Sequence, residues 1–230
     1  MLKNNSNKIE SLTSDLDIGV YDYDVTGNNV ALVGMNNDGS EQIKIYVKNY
    51  IDEKTTLVDE FKYPEFQYEK ATYVSWGKDG LLYYDYTLDG KPVIKVYNPT
   101  DGNTSIYKQD ARNPQISPDG KFMVVYATDA LDKNERKLSE LQLIDLKNNT
   151  KIAELKGSRR LFWDTNHVFL HNVDESKIEI YSLTENGKKV KDIDFTDIPL
   201  EIKTSNGKVF IKSQKFDNNN IILKEDSYTM

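Results

Sequence analysis

The sequence predicts an all-β fold built from a repeated four-stranded antiparallel unit, and three observations predict it. Short segments alternate apolar and polar side chains with period two, which gives each segment one face for a core and one for water. Asp-Gly at 38–39, 79–80, 89–90, 101–102 and 119–120, and Asn-Gly at 186–187 and 206–207, bound those segments. These pairs tolerate the positive φ angles of tight hairpins. The strands then group in fours. The first turns of successive groups fall in register at Gly27, Gly80, Gly120, Asn166 and Gly207, in steps of about 45 residues, the spacing of propeller blades.

Taken in order, the first unit covers strands 20–26, 30–35, 42–48 and 56–61. The second covers 72–76, 81–87, 92–98 and 104–108, and the third 114–117, 122–127, 140–146 and 151–155. The fourth covers 161–163, 168–172, 177–183 and 189–195. The fifth has three strands, 200–204, 209–213 and 220–224, and lacks an outer one. A spare strand lies near the N-terminus. Lys8-Ile9-Glu10-Ser11-Leu12 resembles Lys151-Ile152-Ala153-Glu154-Leu155, the outer strand of the third unit. An open ring leaves strand edges exposed to other chains. The expectation is therefore a single β-propeller domain over 8–230, of five blades, with 8–12 closing the last blade and 1–7 a polar linker.

Ile116-Ser117-Pro118-Asp119-Gly120-Lys121, followed by the apolar run Phe122 to Tyr126, resembles the Ser-Pro-Asp-Gly-Lys repeat of bacterial TolB-like propellers. Leu141 to Leu146 is similar to the third strand of that repeat. The match is good in the third unit. It loosens at Ser75-Trp76-Gly77-Lys78-Asp79-Gly80 and at Thr204-Ser205-Asn206-Gly207-Lys208, and is absent from the first and fourth units. The motif specifies a turn, since Pro presets φ and Asp-Gly closes the hairpin. The resemblance implies the fold, and it implies a binding or scaffold domain of an exported or envelope-attached bacterial protein.

Composition excludes several classes. With 230 residues and no Cys, the chain is long enough for a core without disulfides, and it has no thiolate zinc site and no cysteine nucleophile. A formal charge of -7 argues against general nucleic-acid binding. The start MLKNNSNK has no apolar run, so no signal peptide is read in it, and no segment approaches the length of a membrane helix. The expected location is extracytoplasmic or at the cell envelope, with the cytoplasm as the alternative.

The search for chemistry finds little. His167 and His171 are four apart, but the segment reads as a strand, which sets the rings roughly 13 Å apart and denies them a shared metal. No Gly-x-Ser-x-Gly elbow, phosphate loop or EF-hand run occurs. A glycosidase needs two carboxylates facing one bond. Asp22 and Asp24 lie on or near the first inner strand, Asp85 on a second strand and Asp164 at an inner-strand end, and the other inner strands offer Gln115 and Glu201. This is not an arabinanase-like pattern, and a carbohydrate-active enzyme using channel carboxylates stays as the alternative reading. No cofactor and no metal is expected. Tyr21 with Tyr23, Tyr84 with Tyr86, and Trp76 with Trp163 are expected to fill the wedges between blades.

A binding surface is better supported. Links between blades, and links between second and third strands, emerge at one end of a propeller, and loops on a rigid scaffold carry function. The link 61–68 holds four aromatics in eight residues, so Tyr63, Phe66 and Tyr68 are candidate contacts. Arg112 with Asn113, and Arg159 with Arg160, occupy the next two inter-blade links, where the planar guanidinium favours paired hydrogen bonds to an acidic group. The charged link 129–137 is either a hairpin excursion or a peptide contact. The expected function is a non-catalytic, monomeric binding or scaffold propeller whose partner is a protein or a glycan. A sensor domain of a larger membrane protein is the third reading.

Overall fold

A computed structural model of the chain describes residues 2–5, 8–11, 13–62, 72–127, 140–155, 160–173, 175–217 and 220–230. Strands are the only regular elements among them. β1 (Leu2–Asn5) and β2 (Lys8–Ser11) form a hairpin. The first four-stranded sheet is β3 (Ile18–Thr26), β4 (Asn29–Asn36), β5 (Gln42–Asn49) and β6 (Thr55–Lys62). The second is β7 (Val74–Trp76), β8 (Leu82–Leu88), β9 (Lys91–Asn98) and β10 (Asn103–Gln109), and the third is β11 (Ala111–Ile116), β12 (Phe122–Ala127), β13 (Glu140–Asp145) and β14 (Thr150–Leu155). The fourth is β15 (Arg160–Trp163), β16 (His167–Asn172), β17 (Lys177–Ser182) and β18 (Lys188–Asp194). The fifth has three strands, β19 (Ile198–Ser205), β20 (Lys208–Asp217) and β21 (Asn220–Thr229). Each sheet is a sequential meander, as the repeat predicts. The chain divides into two compact units, Met1–Ile116 with Val125–Arg136 and Ser117–Val124 with Lys137–Met230.

The turns explain why the repeat reads so clearly. Gly27, Gly80, Gly120 and Gly207 all take positive φ, a region that costs a side-chain-bearing residue about 1 kcal/mol or more. In the Ser-Pro-Asp-Gly turn, the Gly120 amide donates to the Ser117 carbonyl at 2.8 Å. Ser117 Oγ donates to Asp119 Oδ1 at 2.6 Å and accepts from the Phe122 amide at 3.0 Å, while Lys121 N donates to the same carboxylate at 3.1 Å. Side chains thus satisfy the backbone groups that a tight turn leaves unpaired.

In the first unit, Val33, Ile43 and Ile45 of the first sheet pack on Trp76, Leu82, Tyr84 and Tyr97 of the second. In the second unit, Phe169, Ile178, Ile180, Ile193 and Phe195 pack on Ile202, Val209 and Ile211. Each of these side chains, once buried, contributes about 1.5–3 kcal/mol. Tyr84 and Trp76 fill such a wedge as expected. Tyr21 and Tyr23 do not, at 44% and 54% exposed against 0% for Tyr84. The reason is the alternation of β3. Asp22 and Asp24 turn toward amides of β7, so the intervening tyrosines face the other way.

The N-terminal segment forms a hairpin of its own. Lys8–Ser11 pairs antiparallel with Leu2–Asn5 (Asn5 opposite Lys8, Leu2 opposite Ser11), and the fifth sheet keeps three strands among the described residues. A hairpin with so short a link closes a far smaller loop than one joining opposite ends of the chain, so local pairing is entropically favoured.

Candidate functional site

The inner-strand carboxylates singled out for acid–base chemistry are hydrogen-bonded to backbone. Asp22 Oδ2 accepts from the Val74 amide at 3.1 Å, and Asp24 Oδ2 from the Trp76 amide at 2.7 Å. Asp85 accepts from the Asn113 amide at 2.5 Å and the Tyr73 amide at 3.2 Å, one bond to each carboxylate oxygen. Asp164 Oδ1 takes the amides of Asn166 and His167, both at 2.8 Å, and Oδ2 takes the Thr204 hydroxyl. Ser75 Oγ accepts from the Ile116 amide at 3.3 Å in the same manner. Asp22, Asp24 and Ser75 thus tie the first strand of one sheet to the first strand of the next, Asp85 on β8 bridges β11 and the residue before β7, and Asp164 holds its own turn and reaches Thr204 of β19. Burial pushes the Asp85 carboxyl up to about 7 against the pull of its two amides. Burial raises Asp22 as well, against its amide bonds and with the charge of Asp24 adding to the rise. Glu201 lies on the surface in an ion pair with Lys212 at 3.0 Å. Among the described residues, no group of three or more His, Asp or Glu is placed to hold a metal ion.

The sequence-predicted contact residues fall in three places. Tyr63, Phe66, Tyr68 and Arg159, with the link 129–137, lie outside the described residues. Arg112 and Asn113 sit on β11. Asn113 is buried at positive φ, gives its amide to Asp85 and accepts from Gln115 Nε2 at 3.2 Å. The Arg112 guanidinium stands 6.0 Å from the Tyr126 ring centroid, a loose cation–π contact. This pair belongs to an inner-strand tie in the first unit.

Arg160 stands elsewhere, in the second unit, beside a cavity of about 250 Å³. It opens β15 directly opposite His171 of β16 in the hairpin register. The cavity is lined by the start of β15, the end of β16, the β16–β17 link, the β18–β19 link and the start of β19. Arg160 Nη1 donates to the Pro199 carbonyl at 3.2 Å. His171 is buried and packs edge-on against Phe195, ring centroids 6.3 Å apart at 82°. Burial, then the charge of Arg160, lowers its pKa from the usual histidine value, so the imidazole is neutral at pH 7 and offers one N–H. Val173, Phe195 and Ile198 give the cavity an apolar floor, and Ser176 and Thr196 add hydroxyls. His167, on the same strand, contacts Asp164 at 3.2 Å instead, so the two histidines have separate surroundings, as a strand requires. The sequence pointed to Arg160 through its link position. It did not single out His171, whose signal was its place opposite Arg160 once the 164–166 turn fixes the register.

No family model and no curated protein matches this sequence. Solved structures do. TolB from Acinetobacter baumannii is similar over 91% of this chain and 52% of its own, at 15% identity and a TM-score of 0.57. The β-propeller domain of the Trilobed protease from Pyrococcus furiosus is similar over 93% of this chain and 69% of its own, at 12% identity and a TM-score of 0.62. A chain of the Nidogen/Laminin complex is similar over 100% of this chain and 89% of its own, at 12% identity and a TM-score of 0.55. The chain spans about half the length of TolB. At these identities the likeness is one of fold alone: the chain is a β-propeller of four-stranded antiparallel sheets, with TolB among its structural neighbours.

Proposed function

We propose that the chain is a non-catalytic binding or scaffold propeller whose contact site lies at the link end of the fourth and fifth sheets. The observation that carries this reading is the cavity beside Arg160, where strands β15, β16 and β19 and the β16–β17 and β18–β19 links supply an arginine, a neutral imidazole, two hydroxyls and apolar side chains within one unit. The carboxylates an enzyme reading needs support it from the other side. Asp22, Asp24, Asp85 and Asp164 accept backbone amides, and a carboxylate held in that way is poorly placed to exchange protons with a substrate. Mechanistically the domain acts by display. Stiff meanders hold short links in fixed positions, so little conformational entropy is lost on binding. A protein or glycan partner and a place at the cell envelope rest on the resemblance of the turn 117–121 to TolB-like repeats.

The test is quantitative capture from a native envelope extract, with a glycan array beside it, using the wild-type chain and two variants. Arg160→Ala addresses the cavity. A combined Tyr63→Ala, Phe66→Ala, Tyr68→Ala variant addresses the aromatic link. Loss of one specific partner or glycan in Arg160→Ala, with the fold intact by circular dichroism, is the expected result. Retention of every captured species by both variants overturns the placement of the site.

A further inference from the structure

We infer that Asn206–Gly207, the turn between β19 and β20, is a spontaneous modification site, where deamidation to isoaspartate turns a neutral, tight hairpin link into an anionic, loosened one. The inference stands apart from the binding reading above. The chain carries the tripeptide Asn-Gly-Lys twice, at 186–188 and at 206–208. Both pairs take positive φ, 54° and 74° at Asn186 and Gly187 against 50° and 69° at Asn206 and Gly207, as such hairpin turns demand. Both asparagines are exposed. Local sequence and φ are therefore matched, and what differs is the surroundings of the glycine.

Gly187 is buried, and its amide donates to the Ser182 carbonyl at 2.8 Å. A Cβ there would come within 2.9 Å of Leu143 and 3.0 Å of Ala153, so the third sheet packs directly on this backbone. Gly207 is exposed, a Cβ there would meet open space, and among the described residues its amide donates no hydrogen bond. Deamidation begins at that nitrogen. A solvent base takes the amide proton, and the Gly207 nitrogen attacks Asn206 Cγ. The N–Cγ bond forms, the Cγ–Nδ2 bond breaks, and ammonia leaves with the proton the base had taken. Water then opens the cyclic imide. Opening at the Asn206 main-chain carbonyl routes the backbone through Cβ and Cγ, as isoaspartate, and opening at Cγ gives aspartate. At Gly187 the same nitrogen is engaged, and the chain must first lift off the third sheet. The consequence at Asn206 is local. Isoaspartate adds a methylene to a turn that is held by the pairing of Ser205 with Lys208 and by the Met230 amide, which donates to the Gly207 carbonyl at 2.8 Å. A lengthened turn cannot keep both ties, and each event adds a negative charge.

The experiment follows the folded chain during incubation in mildly alkaline buffer, beside the same chain in urea. Trypsin releases 178–188 and 204–208, each with one Asn-Gly pair and no other Asn, and the mass gained on deamidation is read in each against a digest of the fresh chain. The Asp-Gly pairs isomerise without a change of mass and do not enter the count. In the folded chain 204–208 is expected to deamidate at least about fivefold faster, since one net hydrogen bond is worth roughly two- to tenfold in rate and the packing of Gly187 adds to it. In urea the two rates should converge. Equal rates in the folded chain, faster deamidation of 178–188, deamidation of neither, or a difference that persists in urea overturns the inference. Asn206→Gly keeps the positive φ and removes the reacting amide. Its melting temperature should not change on incubation, while the wild type should develop a lower-melting fraction in proportion to its isoaspartate. Asn206→Asp carries the charge without the methylene and should melt with the fresh chain. An aged wild type that melts no lower, or Asn206→Asp that melts as low as the aged chain, overturns the loosening.

Discussion

Glu179 brings a charge to a position that is 3% exposed, and its surroundings show what that requires. Lys189 Nζ lies 2.7 Å from one carboxylate oxygen and Lys177 Nζ 3.8 Å from the same one, while the Tyr181 hydroxyl donates to the other at 3.1 Å. Burial alone would lower the pKa of Lys189, but its bonds to Asp192 and Glu179 more than offset this and hold it above the usual lysine range. Burial and the neighbouring Glu179 charge push Tyr181 well above the usual tyrosine value. Removing the acceptor at the centre leaves the Tyr181 hydroxyl without its partner, while the two lysines keep Asp192 and Glu175. Glu179→Ala is expected to lower unfolding stability by about 1–3 kcal/mol, chiefly the loss of the acceptor for the buried Tyr181 hydroxyl, since Lys189 and Lys177 stay partly exposed and keep those partners. Glu179→Gln, which keeps an oxygen for one donor, should lose less. Urea midpoints of the two variants at pH 7 check this, and equal midpoints would mean the network contributes packing and not charge.

At the scale of the strand, β3 shows what a sequence reveals and what it withholds. Its period-two alternation was legible, and so were the turns at Gly27, Gly80, Gly120 and Gly207, because backbone sterics restrict who can occupy them. Which face of β3 is buried was not legible. Tyrosines on one face and aspartates on the other both have a reason to be inside. The outcome depends on the amides of Val74 and Trp76, which need acceptors and find them in Asp22 and Asp24. Those amides belong to a strand some fifty residues away, beyond local pattern. Arg160 was legible from its link and His171 was not, for the same reason. Two consequences are measurable. Asp24→Ala should cost about 1–3 kcal/mol, the penalty of an amide left without its acceptor, whereas Tyr23→Ser should change stability by no more than about 0.5 kcal/mol, as for an exposed site. The reverse order would put the tyrosine face in a packed interface in solution. Gly34 tests the same hairpin by shape. A Cβ there would lie 2.4 Å from the Gly19 carbonyl oxygen, so Gly34→Ala must shift β3 against β4 and is expected to cost roughly 1–3 kcal/mol.

For the molecule as a whole, the carboxyls of Asp85 and Asp22, both raised by burial, predict an unusual dependence of stability on pH. Unfolded, Asp85 titrates near 3.8, and folded it titrates near 7. Between those values the folded chain holds a proton that the unfolded chain has released. Stability from this group is therefore complete below about pH 4, falls as pH rises and is gone above about pH 7. A shift of roughly three units corresponds to about 4 kcal/mol as an upper bound. Asp22, raised mainly by burial, acts with the same sign. Surface carboxylates held low by lysine or hydroxyl neighbours, such as Glu201 beside Lys212 and Asp38 beside Ser40, act with the opposite sign. Their contribution is present above about pH 4 and is lost as pH falls through their folded values. The formal charge of -7 adds self-repulsion that fades toward the isoelectric point of about 5.0. All three trends meet on the acid side, so the melting temperature should be highest near about pH 4.5–5 and decline toward pH 8, in contrast to the usual optimum between about 5 and 8. Asp85→Asn should be less stable than wild type at pH 5, because its amide nitrogen faces a backbone N–H, and its melting temperature should fall less than that of the wild type between about pH 5 and 7, the remaining decline coming from Asp22 and the net charge. A wild-type melting temperature that rises from pH 5 to pH 8 would show the opposite balance: the amides of Asn113 and Tyr73 would then outweigh desolvation, and Asp85 would be a carboxylate throughout.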